Sequence, residues 1–87
     1  MEREALRETL ARLHAELEEA GPIDRALRAD LERALDEIRE VVEQPPAEPE
    51  PSLRTRLEAL ALHFEQSHPL LTEALGGVVR ALAAMGI

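Results

Sequence analysis

Residues 69–87 read PLLTEALGGVVRALAAMGI, and this stretch decides the fold because only Glu73 and Arg80 in it are charged. On a helix these two side chains point the same way, about 20° apart at about 100° per residue. The opposite face carries Leu71, Leu75, Val78, Leu82 and Met85. With its flanking residues this face forms an apolar arc of about 220°, well beyond the ~100° stripe of an ordinary surface helix. We therefore expect the helix to be packed on more than one side, with a second copy of the chain as part of its cover.

The rest of the composition points to a small aliphatic core. The chain has 87 residues, a single aromatic residue, Phe64, and no cysteine. A domain of this size buries little apolar surface, and small domains often add disulfides, metals or oligomerisation. Disulfides are excluded here, so we expect a single domain that forms a homo-oligomer, with a dimer as the favoured state.

The charge balance restricts the partners. There are 18 acids and 10 bases, all of the bases are Arg, and the net charge is −8. Such a chain is repelled by nucleic acid and by anionic membrane surfaces, so we expect neither as a partner. Residues 69–87 are too short and too interrupted to span a membrane, and the first residues lack the apolar core of a signal peptide, so we expect a cytoplasmic protein. Solubility is the ordinary explanation of the acidity, and an acidic surface for a basic protein partner is the alternative.

Apolar spacing upstream predicts an antiparallel helical hairpin. Helices of about residues 3–20 and 23–42 are joined at Gly21-Pro22, where glycine suits the left-handed position after a helix and proline cannot continue it. Asp24 is either the N-cap of the second helix or an acid in its first turn. The stretch 44–51, QPPAEPEP, holds four of the six prolines and predicts a linker.

The second half of the chain predicts two further helices, of about residues 53–66 and 69–85. Pro69 should break the helix, with Ser67 or His68 as the cap, because proline in a helix interior removes a hydrogen bond and costs about 3 kcal/mol. One long helix kinked at Pro69 also satisfies the apolar spacing. The predicted fold class is therefore all-α: a helical hairpin, a proline-rich linker and a C-terminal helical pair, or one kinked helix, in a small bundle completed by oligomerisation.

Glycines mark two special positions in the last helix. Gly76 and Gly77 lie in its interior and cost about 1 kcal/mol each relative to alanine, which predicts a close helix approach where a side chain does not fit. Gly86 is placed to take the left-handed position at the end of the helix. In that motif Ile87 contacts Leu82.

The run FEQSHPLLTEALGGVVRALAAMGI, residues 64–87, resembles the ending of a bacterial family of short helical proteins, the domain-of-unknown-function family four-four-zero-four. That ending has the form F-E-x-S-H-P-x-L-T-x-A-L-G-R-V-x-x-A-L-x-x-M-G-I. The matching residues are Phe64, Glu65, Ser67, His68, Pro69, Leu71, Thr72, Ala74, Leu75, Gly76, Val78, Ala81, Leu82, Met85, Gly86 and Ile87. Gly77 departs from it, since the family pattern has Arg there. The resemblance implies no activity, because none is established for the family.

One pair of residues has the sequence spacing of metal ligands. Glu65 and His68 are spaced as a Glu-x-x-His pair, which on a continuous helix shares a face as in di-metal bundles. Capping by Ser67-His68-Pro69 is the competing interpretation. The hydroxyl residues have capping or spacing explanations, and no phosphate-binding loop is present. We therefore expect no enzyme activity, no catalytic residue and no cofactor.

The functional hypothesis is a structural or protein-interaction module that self-associates through its last helix. The predicted interaction and core residues are Phe64, Leu71, Leu75, Val78, Leu82 and Met85. A small acidic regulator that binds a different protein is the alternative. A bundle that binds a metal through carboxylates and histidine is the more distant one.

Overall fold

Four α-helices make up the part of the chain that the computed structural model describes, residues 2–45 and 52–87. They are α1 (Glu2–Glu19), α2 (Arg25–Glu43), α3 (Ser52–Phe64) and α4 (Pro69–Ala84). These residues contain no strand, so the all-α prediction is confirmed. Most of the predicted linker, residues 46–51, lies outside the described residues.

The helices follow one another around the bundle, and each runs antiparallel to its neighbours. α4 packs extensively against both α1 and α3, and α2 packs less closely against those same two helices. Arg3, in the first turn of α1, donates hydrogen bonds to the carbonyl oxygens of Val42 and Glu43 in the last turn of α2. A cation is favourable there because the carbonyl end of a helix is partially negative. This contact joins the start of α1 to the end of α2.

The core is wholly apolar in the described residues. Leucines at 4-3-4 spacing on α1 are buried against the apolar faces of the other helices, and no polar or charged residue is buried with them. The side chains with almost no solvent exposure are Leu6, Leu13, Leu31, Ile38, Leu57, Phe64, Leu71, Leu75, Val78 and Leu82. Burial of such residues is the dominant favourable contribution to folding.

The apolar face of α4, at the centre of the wide arc, is covered by the chain itself. Leu71, Leu75, Val78 and Leu82 are each 1% exposed or less. α1 covers one side of the helix and α3 the other, and the Thr72 hydroxyl donates to the carbonyl oxygen of Ala61 on α3 (3.1 Å). The expectation that α4 is packed on more than one side is therefore confirmed, and within the described residues α1 and α3 supply the cover.

The turn between α1 and α2 differs from the prediction at Gly21. Gly86 is the only glycine with a positive φ in the described residues, so Gly21 does not take the left-handed conformation. Pro22 explains the difference, because it has no N–H to donate to the carbonyls at the end of α1. α2 begins at Arg25, behind Asp24, whose carboxylate accepts hydrogen bonds from the N–H groups of Ala26 and Leu27. Asp24 is thus the N-cap.

The helix is interrupted between α3 and α4, so the alternative of one long helix kinked at Pro69 is wrong. α3 ends at Phe64, residues 65–67 form a turn, and Pro69 is the first residue of α4. His68 occupies the N-cap position, but its ring nitrogen Nδ1 lies 3.0 Å from the Ser67 hydroxyl and makes no bond to the helix N–H groups. Proline suits this first position because its missing N–H has no partner in any helix.

α4 ends in the motif predicted from Gly86. This glycine has a φ of 79°, its N–H donates to Ala83, and the Ile87 N–H donates to the carbonyl of Leu82 (2.9 Å). These two bonds define a Schellman motif, which satisfies carbonyls that the helix leaves without partners. Ile87 is 6% exposed, so the motif also returns an apolar side chain to the core.

Gly76 and Gly77 do not mark a contact too close for a side chain. A Cβ at Gly77 would lie 3.5 Å from Thr9 Cγ2 on α1, an ordinary van der Waals distance. A Cβ at Gly76 would lie 3.5 Å from Arg80 Nη1, the end of a flexible side chain. The predicted reason for the glycine pair is therefore wrong, and the structure provides no other.

Replacing Gly76 by alanine should stabilise the protein. The helix gains about 1 kcal/mol from lower backbone entropy in the unfolded chain, and Tm should rise by about 4–8 °C. Gly86→Ala is the matched control, and it should lower stability by about 1–2 kcal/mol because of its left-handed conformation. Thermal unfolding followed by circular dichroism measures both. A Gly76→Ala protein that melts below the wild type would show that the glycine is needed where it stands.

Candidate functional site

The structure brings the predicted interaction residues together, but inside the bundle. Phe64, Leu71, Leu75, Val78 and Leu82 are all 1% exposed or less, whereas Met85 is half-buried at the edge of the core. They hold α3 and α4 to the rest of the chain. A binding surface has to be sought among other residues.

Two large apolar side chains remain exposed in the described residues. Leu62 on α3 is 72% exposed and Leu70 on α4 is 56% exposed. Leu62 points away from the line of Leu57, Leu60 and Phe64 that faces the core. Neither leucine is among the interaction residues predicted from the sequence. The signal for Leu62 was available, because it falls outside the apolar spacing of its own helix.

A groove of about 250 Å³ runs between α2 and α3. Its floor is apolar and includes Leu27, Ala34 and Leu60, and its rim carries Arg33, Arg56 and His63. We refer to these residues, with Asp30 and Ala59, as the α2–α3 groove. It exists because α2 packs less closely against α3 than α4 does.

A second hollow, of about 300 Å³, lies between the end of α1 and the turn that precedes α4. Leu70, Leu71 and Pro69 line it on one side. The other side carries two carboxylates, Glu16 and Glu19. Ser67, His68, Ala20 and Gly21 complete this turn hollow, as we name it. Its chemistry suits an apolar group next to a cation.

Glu37 and Arg56 form the ion pair that joins α2 to α3. Arg56 Nη2 donates to Glu37 Oε1 at 2.6 Å, while Glu37 Oε2 is buried and has no hydrogen-bond partner among the residues that the structure describes. The hydrogen bond from Arg56 holds the pKa of the Glu37 carboxyl below its ordinary value of 4.5, against the opposing effect of burial. The pair therefore favours the ionised carboxylate in the folded state.

Glu37→Gln should make the protein less stable at neutral pH and less sensitive to acid. Because the folded-state pKa is lowered, the ionised pair stabilises the fold above the unfolded-state pKa. That contribution is lost as the pH falls through the folded-state pKa. Both side chains are more than a third exposed, so we expect a loss of only about 0.2–1 kcal/mol at pH 7. Urea unfolding in a series of buffers from pH 7 downward tests this, since the difference between the two proteins should narrow as the Glu37 carboxyl is protonated. A difference that stays constant down to the lowest pH at which both proteins fold would contradict the assignment.

The candidate metal pair, Glu65 and His68, does not have the helical geometry on which the prediction was based. Glu65 lies in the turn after α3 and His68 at the start of α4, so the two do not share the face of one continuous helix. Within residues 2–45 and 52–87, no group of three or more His, Asp or Glu side chains is placed to hold a metal ion.

Of the other two histidines, His14 has polar partners at both ring nitrogens. The Nδ1 of His14 lies 3.3 Å from Arg39 Nη2, and its Nε2 lies 3.3 Å from a Glu18 oxygen. Since Arg39 can only donate, His14 Nδ1 is the acceptor and Nε2 carries the proton. His63 stands on the rim of the α2–α3 groove.

Comparisons with known proteins identify a family and nothing closer. The family model described as a domain of unknown function, DUF4404, matches residues 6–87. No curated protein and no solved structure matches the chain. In the described part of the chain, every helix is too short or too polar to cross a bilayer.

Proposed function

Because the chain belongs to the DUF4404 family, a domain of unknown function, we propose its role from the geometry alone: it is a structural or protein-interaction module that self-associates. The observation that carries the proposal is the exposure of Leu62. At 72% it is the most exposed large apolar side chain of the described residues, in a chain whose other leucines are buried or half-buried except Leu70. Covering such a side chain in a contact between copies is favourable.

The size of the protein supports association. Twenty buried residues form the described core, and Phe64 is the only aromatic residue among them. Small aliphatic cores supply few kcal/mol, and a second copy adds apolar burial at no cost in chain length. The contact we propose adds to this core without opening it, because the apolar face of α4 is already covered.

Sedimentation equilibrium over a range of micromolar to millimolar concentrations tests the proposal. We expect the apparent mass to rise from 9.7 kDa toward twice that value as concentration increases. A parallel run at high salt screens the repulsion between copies that each carry a charge of −8. If apolar contacts dominate the interface, the dimer should therefore be no weaker at high salt than at low salt. A mass of 9.7 kDa at every concentration would refute self-association.

A second candidate function, binding to a different and basic protein, has support from the turn hollow. Its carboxylates, Glu16 and Glu19, stand beside Leu70 and Pro69, which suits a segment with a cation next to an apolar group. Capture from cell extract, with a Glu16→Gln/Glu19→Gln protein as the matched bait, tests this role. A partner retained by the wild type and lost by the variant supports it, and equal recovery contradicts it. Under either function we place the protein in the cytoplasm and expect no nucleic-acid partner.

A further inference from the structure

We propose that a second copy of this chain docks on the α2–α3 groove, with Leu62 of each copy seated in the groove of the other. The inference rests on the proposed self-association and specifies the surface that carries it. It also replaces the apolar face of α4 as the contact, because that face is buried.

The groove offers an apolar floor that matches a leucine side chain in kind and size. Ala34 is 2% exposed and Leu60 is 7% exposed, so the floor is part of the core, and Leu27 packs beside it half-buried. The volume of about 250 Å³ holds one or two aliphatic side chains and is small for a cofactor. A protruding leucine is therefore a better occupant than a small molecule of ordinary size.

Leu62 stands on the same helix that forms one wall of the groove. It follows Ala59 by three residues and directly precedes His63, both of which line the groove. An interface between two identical copies related by a two-fold axis requires a patch that carries both the projection and the recess. α3 carries both within one helical turn, so the patch is self-complementary.

The charged residues around the two features differ in sign. The lining of the groove carries two arginines, Arg33 and Arg56, against a single acid, Asp30, in a chain whose net charge is −8. Leu62, in contrast, is flanked on its own face by Glu58 four residues before it and Glu65 three residues after it. Both of these acids are exposed. Docking therefore brings acids toward bases from both copies.

The ion pairs that already exist in these places do not oppose docking. Arg33 lies 3.5 Å from Asp30, and Glu58 lies 4.0 Å from Arg54, in pairs that are mostly exposed. Exposed pairs of this kind contribute little to stability, so their partners can be shared with a second copy. Arg56 keeps its bond to Glu37, so Arg33 is the rim cation that we expect to meet the acids of the second copy.

The turn hollow is the competing recess for Leu62, and its charge argues against it. Its rim carries Glu16 and Glu19, which would face Glu58 and Glu65 of the arriving copy. Like charges brought together across an interface oppose association. The α2–α3 groove is thus the recess that the surroundings of Leu62 favour.

Sedimentation equilibrium of Leu62→Gln and Leu70→Gln tests the docking surface separately from the proposed self-association. Leu62→Gln removes two buried leucines from a two-fold contact, so we expect the dimer dissociation constant to rise by about 100-fold. Leu70→Gln removes the other exposed leucine and should change the dimer constant by less than about 2-fold. A wild type that stays monomeric refutes the proposed self-association. A wild-type dimer that Leu62→Gln leaves intact refutes only the docking surface.

A charge exchange between copies gives a second, independent test. Arg33→Glu alone places acid against acid in both halves of a homodimer, and Glu58→Arg/Glu65→Arg alone places base against base. In a mixture, the heterodimer restores opposite charges in both halves. Native mass spectrometry should show the heterodimer in excess over either homodimer, by about 10-fold or more, while circular dichroism confirms that each variant is folded. A statistical mixture would overturn the proposal.

Discussion

Val78→Glu should leave the protein largely unfolded at pH 7. Val78 is 0% exposed on the face of α4 that α1 and α3 cover. The described core has no buried polar group that could pair with a new carboxylate. Burying an ionised carboxylate without a partner costs several kcal/mol, and a domain of this size has about 4–13 kcal/mol of stability in total. We expect the helical circular dichroism signal and the cooperative transition to be mostly lost.

Arg80→Glu is the matched control two residues further along α4. Arg80 is exposed on the outer side of the helix, so the same new side chain should change stability by less than about 0.5 kcal/mol. Lowering the pH toward 4 should partly restore folding of the Val78→Glu protein, because protonation removes the buried charge. Equal melting temperatures for the two variants would show that the covered face of α4 is not covered in solution.

Phe64→Ala should lower the free energy of unfolding by about 3–5 kcal/mol. Phe64 is 1% exposed at the end of α3 and meets the His68 ring edge-on, with centroids 5.7 Å apart. Truncation removes the largest core side chain and leaves a cavity at the break between α3 and α4. Urea unfolding measures the loss of free energy of unfolding. We expect all four helices to keep their bounds around the cavity.

Leu62→Ala is the control for Phe64→Ala, since Leu62 precedes it by two residues on the same helix. Its side chain is 72% exposed, so its truncation should cost less than about 0.5 kcal/mol in the monomer. The measurement has to be made at low protein concentration, where an association through Leu62 does not add to stability. Comparable losses for Phe64→Ala and Leu62→Ala would contradict the orientation of α3.

Local sequence signals were sufficient at three helix ends. Asp24 caps α2 because its carboxylate reaches N–H groups two and three residues ahead. Gly86 and Ile87 close α4 because a left-handed glycine lets the chain return to Leu82. Pro69 starts a helix because its ring prevents the preceding helix from continuing. Each of these needs only a few consecutive residues.

Three glycines were interpreted wrongly, Gly21 for a local reason and the other two for a reason that lies in the packing. Gly21 suggested a left-handed turn, but Pro22 lacks the N–H that such a turn uses. Gly76 and Gly77 suggested a close helix approach, but their distances to Arg80 and Thr9 leave room for a methyl group. Helix propensity predicts the free-energy cost of a glycine in a helix, whereas what offsets that cost depends on the residues packed beside it.

The sequence by itself determined four helical segments, an aliphatic core and the apolar arc of α4, because periodicity and turn chemistry act over one or two helical turns. Only the tertiary structure decided what covers that arc. The arc is equally well satisfied by another copy or by the chain's own α1 and α3, and the choice depends on how four helices fit around one another. The same fit leaves an open groove between α2 and α3 beside Leu62, because α2 packs less closely on α3 than α4 does, and no local pattern records that difference.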